Sequence, residues 1–177
     1  MYISYSLWGS NEVYTYGMIE NVLLAKEIYK GWKVRVHYND TVPQKVIDWL
    51  EAQENVEMIH HEGEDALASN TFWRFYDMFL PDTIVLVRDA DSRLSVYEKE
   101  MVDEWLNSSK DFHVIRGHPH HKVPILAGTC GCRNNLLQYI HIDNRVNNIN
   151  ASPRSFIAST RFLEWYQKEL PKGRDKY

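Results

Sequence analysis

The sequence predicts an α/β fold with a mostly parallel central sheet flanked by helices, and two observations carry that prediction. Over roughly the first hundred residues, strand-like segments exchange regularly with segments of helical apolar spacing. The run Ile84-Val85-Leu86-Val87 is apolar and unbroken, the pattern of a strand buried on both faces. At 177 residues the chain is sized for a single domain, 1–177, with enough length to bury a core without disulfides.

Each element has its own signal. Residues 2–7 alternate as a strand, and Trp8-Gly9-Ser10-Asn11 breaks it. From Glu12 to Tyr29 the apolar positions Ile19, Val22, Leu23, Ala25, Ile28 and Tyr29 fall at helical spacing, and Gly31 supplies the stop. Residues 33–38 alternate again. Asn39-Asp40-Thr41 turns the chain, and Pro43 suits the first turn of a helix through Leu50. Residues 56–59 form a short third strand. After a polar stretch, 60–70, the aromatic segment Phe72-Trp73-Arg74-Phe75-Tyr76 opens a helix into Phe79. Ser95-x-x-Glu98 is a capping box that starts a helix to about Asn107. Tyr97, Met101 and Trp105 recur along it every four residues and are assigned to the core. Residues 112–115 read as a strand, 124–126 as a sixth, and 133–148 and 155–168 as helical.

Composition excludes several function classes. A net charge of −4 and a pI near 6.1 leave no electrostatic footprint for nucleic acid. No apolar run is long enough to span a bilayer. Residues 1–8 lack a basic lead and are interrupted by Ser4 and Ser6, so no secretory signal is expected. Cys130 and Cys132 read as reduced thiols. A Cys-x-Cys pair falls well short of the four ligands of a structural zinc site.

The chemistry concentrates in Arg88-Asp89-Ala90-Asp91-Ser92-Arg93, directly after the buried strand. If the chain stays extended, Asp89 and Asp91 point to one spot at the carboxyl edge of the sheet, where ligands bind in such folds. Two adjacent carboxylates repel unless a cation intervenes. Oxygen ligands select a hard divalent ion, Mn²⁺ or Mg²⁺. Such an ion can hold a diphosphate and stabilise its departure, which is the chemistry of sugar transfer from a nucleotide-sugar. Arg88 and Arg93 would pair with phosphate or offset the acids. The plainer alternative is a solvated turn that caps the next helix. An EF-hand is disfavoured because Leu94 stands where the loop needs glycine.

Several segments in order resemble a family of small GT-A-fold glycosyltransferases of bacteria and large DNA viruses, a chlorovirus glycosyltransferase domain among them. They are Ser6-Leu7-Trp8-Gly9, Phe72-Trp73-Arg74-Phe75, Val87 through Arg93, Glu104-Trp105-Leu106, and His113 through His120. The resemblance covers about residues 2–135. It implies a UDP-linked sugar donor and a divalent metal. The expected acceptor is a glycan or glycoprotein, and the reduced thiols point to the cytoplasm (the host cytoplasm for a viral chain). Residues 1–107 would bind the nucleotide, and 108–170 would serve donor and acceptor. By match, Ser6, Leu7, Trp8 and Gly9 would flank base and ribose, and Trp73 and Arg74 would complete the nucleotide site. Asp89, Ala90 and Asp91 would form the acidic motif, with Asp91 the direct metal ligand and Asp89 holding ribose or metal-bound water.

The chain also departs from that pattern. Gly117 replaces an acid, Ala127-Gly128-Thr129-Cys130-Gly131 replaces Gly-Gly-Met-Trp-Gly, and Ser152-Pro153-Arg154 stands where an Asp-Gln pair is expected. A later His-Asp element has no counterpart. His113, His118, His120 and His121 cluster within nine positions and are read as polar loop residues, a transition-metal site being the sharper alternative. His118 and Asp143 are the candidate bases for an acceptor hydroxyl. Trp8 and Trp73 are divided evenly between ring stacking and core. Three functions follow in order: a glycosyltransferase, a non-catalytic nucleotide-sugar-binding module, and a metal-dependent phosphohydrolase or nucleotidyltransferase.

Overall fold

Strand β1 (Tyr2–Leu7) lies at the centre of a six-stranded sheet, and its alternation divides the molecule into two unlike faces. The computed structural model describes residues 1–62, 70–116 and 126–133. Helix α1 (Glu12–Ile28) leads to β2 (Lys33–Tyr38), and α2 (Gln44–Glu51) leads to β3 (Val56–His60). A 3₁₀ segment (Trp73–Phe79) precedes β4 (Ile84–Arg88), and α3 (Val96–Leu106) precedes β5 (Phe112–Val114) and β6 (Thr129–Arg133). The sheet order is β3-β2-β1-β4-β6-β5. The first four strands are parallel, and β6 runs antiparallel to both β4 and β5. The chain steps outward from β1 on one side and then returns to its other side with β4. That places a topological switch point between the carboxyl ends of β1 and β4, where ligands of open α/β sheets bind.

One face carries the main core. Ile3, Tyr5 and Leu7 of β1 and Val34 and Val36 of β2 pack on Met18, Val22 and Ala25 of α1 and Leu50 of α2. Each Ile, Leu, Val or Met among them contributes about 1.5–3 kcal/mol on full burial. The opposite face has a smaller apolar cluster, Met78, Val85, Val87, Cys130 and Cys132. Beside it the face is polar: Ser4, Ser6 and His37 are buried there. Asp77 of the 3₁₀ segment answers them, with Oδ2 at 3.1 Å from His37 Nε2 and Oδ1 at 3.1 Å from Arg35 Nε. A carboxylate oxygen accepts, so His37 Nε2 donates to Asp77, and His37 Nδ1 lies within hydrogen-bonding distance of His61 Nε2 at 2.9 Å. Trp73 stacks on His61, with ring centroids 4.4 Å apart and planes 2° from parallel.

The structure corrects several sequence expectations. The aromatic segment is helical to Phe79 as expected, but of the 3₁₀ type, held by the Arg74 N–H and the Asp77 side chain on the polar sheet face. The strand expected at 124–126 lies instead at Thr129–Arg133; Leu126 is outside it, and 124–125 are outside the described residues. Arg133, expected to begin a helix, ends that strand, and the remainder of 133–148, like 155–168, is outside the described residues. Gly131 lets Trp105 and Leu86 press on β6, since a Cβ there would lie 2.7 Å from Leu86 Cδ2. Leu23 and Tyr97 face solvent. The inner stripe of α3 is Val102 and Trp105, with the half-buried Glu98 one turn before Val102.

Glu98 has a second role beyond the expected cap. Ser95 Oγ accepts from Glu98 N at 3.1 Å, as a capping box requires. The Glu98 carboxylate, however, turns inward to accept from Arg88 Nε and from the Tyr29 hydroxyl at 3.1 Å. Burial, with the Glu98 charge adding, pushes the Tyr29 phenol well above its ordinary range. Arg88 is buried, and its Nη1 also donates to Val87 O at 2.8 Å and Cys130 O at 2.7 Å. Removing one partner of a buried ion pair strands the other charge. Glu98→Ala is therefore expected to destabilise the fold by about 3 kcal/mol, seen as a lower urea midpoint with an unchanged denaturant slope.

Candidate functional site

The parallel register brings the two key strand ends level. Ser4 pairs with Val87, so Ser6 and Asp89 stand side by side just beyond, on the same polar face. Arg74 joins them from the 3₁₀ segment. Its backbone N–H donates to Ser6 Oγ at 3.0 Å, and its Nη1 donates to Arg88 O at 2.9 Å and to Asp89 Oδ1. Arg74 is buried, while the Asp89 side chain is 38% exposed. Gly128 closes on the other carboxylate oxygen: a Cβ at that position would overlap Asp89 Oδ2. Ser6, Arg74, Asp89 and Gly128 thus form one contiguous group at the switch point.

The acidic motif is a turn, which corrects the extended geometry expected from its i, i+2 spacing. Ser92 N donates to Asp89 O at 3.2 Å, and Ala90 drops into the core between the two acids. Asp91 is exposed and has no ion pair or side-chain hydrogen bond among the described residues. Arg88 points to the opposite sheet face, toward Glu98, so it offers nothing to a phosphate at Asp89. Arg93 pairs with Glu20 and donates from Nη1 to Ala90 O at 3.0 Å. The arginines flanking the motif are structural braces.

The other candidates divide. Leu7 is a core side chain and offers a ligand only its backbone. Gly9 adopts φ 71°, a turn conformation that glycine takes without strain, and its N–H donates to Thr41 Oγ1 at 2.7 Å. That bond ties the loop after β1 to the turn after β2. Trp8 is half-buried. Trp73 is buried with His61 against its ring. His118, His120, His121 and Asp143 lie outside the described residues. His113 is described, and it stacks on Trp105 at 5.2 Å with its Nε2 buried and unpartnered among the described residues. Cys130 and Cys132 are free buried thiols; burial pushes Cys130 up to about 11 and raises Cys132 as well, so both stay protonated.

Does this donor set fit a metal? Among the described residues, no group of three or more His, Cys, Asp or Glu is placed to hold an ion. Asp91 and the free side of Asp89 instead provide carboxylate oxygens alone. That suits a magnesium-like ion bound by one or two carboxylates plus substrate phosphates. Sequence reasoning missed Asn21, Gly17 and Gly128, all of which touch the motif. A glycine and an asparagine on the inner face of an otherwise apolar helix were the available signal.

The mixed α/β architecture has a neighbour among solved structures. It is similar to the mannosyltransferase PcManGT from Pyrobaculum calidifontis, solved in complex with GDP-Man and Mn²⁺. The match has a TM-score of 0.57 and 14% identity, and covers 77% of this chain and 45% of that one, so the likeness speaks for the fold. The chain spans less than half the length of this neighbour. No family model matches the chain, and no curated protein matches it in sequence. No helix among the described residues is long and apolar enough to cross a membrane.

The buried histidine yields a pH dependence. Burial, with the Arg88 charge adding, lowers His113 from 6.5 to about 4. Between those values the unfolded chain binds a proton that the folded chain refuses, so this contribution to stability falls as pH falls. It is fully present above about pH 6.5. Urea midpoints measured from pH 7 to pH 4 should decline less steeply for His113→Phe than for the unsubstituted protein.

Proposed function

We propose that the protein is a divalent-metal-dependent glycosyltransferase that moves a sugar from a nucleotide-sugar to a hydroxyl of a glycan or protein. The observation that carries this reading is the acidic turn Asp89-Ala90-Asp91, braced by Arg74, at the switch point of a sheet whose fold is similar to that of a mannosyltransferase. Asp91 and the outer edge of Asp89 would hold Mn²⁺ or Mg²⁺. The bound ion would offset the charge of the departing nucleoside diphosphate. The loop Ser6 to Gly9, tied to Thr41, would wall the nucleoside. Arg74 would fix the Asp89 carboxylate, and Gly128 would let it approach the strand end. His118 and Asp143 remain the candidates for deprotonating the acceptor.

The nucleotide follows from two sources that differ. The family resemblance favours UDP, and the similar mannosyltransferase was solved with GDP-Man. Titration calorimetry with UDP and GDP, each with and without Mn²⁺, separates them. One of the two should bind in a Mn²⁺-dependent manner, and Asp91→Ala should weaken that binding at least tenfold, about 1.4 kcal/mol. Unchanged affinity in the Asp91→Ala protein would sink the proposal. Binding without donor hydrolysis or transfer to any screened acceptor would leave a nucleotide-sugar-binding module. Released inorganic phosphate or pyrophosphate with no glycosidic product would assign phosphohydrolase or nucleotidyltransferase chemistry.

Gly128→Ala tests the approach of Asp89 separately. The added methyl group cannot coexist with the present carboxylate position. Mn²⁺-dependent nucleotide affinity should fall severalfold, with less effect on nucleotide binding measured in chelator.

A further inference from the structure

Asn21 lies in the middle of α1 and is completely buried. An asparagine there is a poor helix former, and its amide is costly to bury unless every group finds a partner. It makes none of its side-chain bonds within its own helix. Nδ2 donates to Ser92 O at 2.8 Å and to Ala90 O at 3.4 Å, and Oδ1 accepts from Leu94 N at 3.0 Å. All three partners are backbone groups that bracket Asp91. The neighbouring positions on the same helix face serve the same turn. Gly17 has no Cβ because one would overlap Ala90 O and the Arg93 guanidinium, and Glu20 pairs with Arg93.

We propose that Asn21 is a positioning residue for the cation-binding carboxylates. It holds the backbone on both sides of Asp91, so the turn that presents Asp89 and Asp91 exists before a cation arrives. A turn carrying two acids would otherwise open to separate them. Holding it closed lowers the reorganisation that metal binding requires. Groups that orient metal ligands from behind typically change metal affinity by about 10- to 100-fold when lost. This inference rests on the proposed metal site, but it concerns a residue that touches neither metal nor nucleotide.

The test is an electron paramagnetic resonance titration of Mn²⁺ on the full chain, alone and with UDP or GDP. The proteins compared are the unsubstituted chain, Asn21→Leu, Asn21→Asp, Asp91→Ala and the double variant Asn21→Leu/Asp91→Ala. Asn21→Leu keeps the branched outline, with larger methyl groups at its tips, and removes all three bonds; Asn21→Asp keeps only the acceptor for Leu94 N. Both should lower Mn²⁺ affinity about tenfold or more and leave metal-free nucleotide affinity unmoved, and Asn21→Leu should add no further loss to Asp91→Ala. A lower melting temperature with Mn²⁺ affinity unchanged within twofold would assign Asn21 a purely structural role and overturn the proposal. If Asn21→Leu does not fold, Asn21→Asp decides by the same criterion. An unsubstituted chain that binds Mn²⁺ but neither nucleotide overturns the glycosyltransferase reading and leaves this one standing if the variants lose Mn²⁺. A chain that binds no Mn²⁺ under any of these conditions overturns both.

Discussion

The end of β4 depends on Arg88. Its guanidinium is buried and would be untenable alone, because removing a cation from water costs several kcal/mol even after the protein relaxes. Glu98 answers it from α3, and the carbonyls of Val87 and Cys130 accept from its Nη1. Burial works against the charge of Arg88, and Glu98 more than restores it, so the guanidinium holds its proton firmly. The same carboxylate accepts from the Tyr29 hydroxyl at the end of α1. One ion pair therefore joins β4, β6, α1 and α3 directly beneath the acidic turn. Because successive side chains alternate, fixing Arg88 on the helical face fixes Asp89 on the other.

That other face explains why Asp89 is held from above by an arginine. The polar residues there cannot be covered by an ordinary apolar helix. They instead receive a 3₁₀ segment: Ser6 Oγ accepts from Arg74 N–H, and Asp77 accepts from His37 and pairs with Arg35. His61 extends the hydrogen-bonded line from Asp77 through His37, and Trp73 covers it. The segment is anchored at Asp77 and at the Arg74 backbone, which leaves the Arg74 guanidinium directed at Arg88 O and Asp89. Trp73 contributes to this anchoring, and its indole is already engaged within the fold.

The parallel half of the fold was legible because its strands carry strong two-residue periodicity or a continuous apolar run, and its helices have clear stops. Legibility failed where tertiary contacts set local structure. Thr129–Arg133 contains glycine and two cysteines, a weak strand pattern whose pairing comes from β4 and β5. The 3₁₀ segment has helical composition but takes its shape from the polar sheet face. Tyr97 was misplaced because a four-residue interval drifts about 40° per step around a 3.6-residue helix. For the site, the acidic motif and Arg74 were visible as residue types. The turn between the acids was not, since the groups that impose it, Asn21 and Gly17, lie some seventy positions earlier.

The two acids are consequently unlike, despite their symmetric spacing. Asp89 already has a cation, the Arg74 guanidinium, on Oδ1, and Gly128 beneath Oδ2. Its charge is largely answered before any metal arrives. Asp91 faces solvent on a backbone that Asn21 and Arg93 hold from the helical side. This inequality eases the repulsion that would otherwise oppose two ionised carboxylates in one turn. In the proposed metal site, Asp91 would then be the more open ligand and Asp89 the one already fixed in place. A symmetric pair of acids would need a cation to assemble; in this chain arginine has taken that part at one of them.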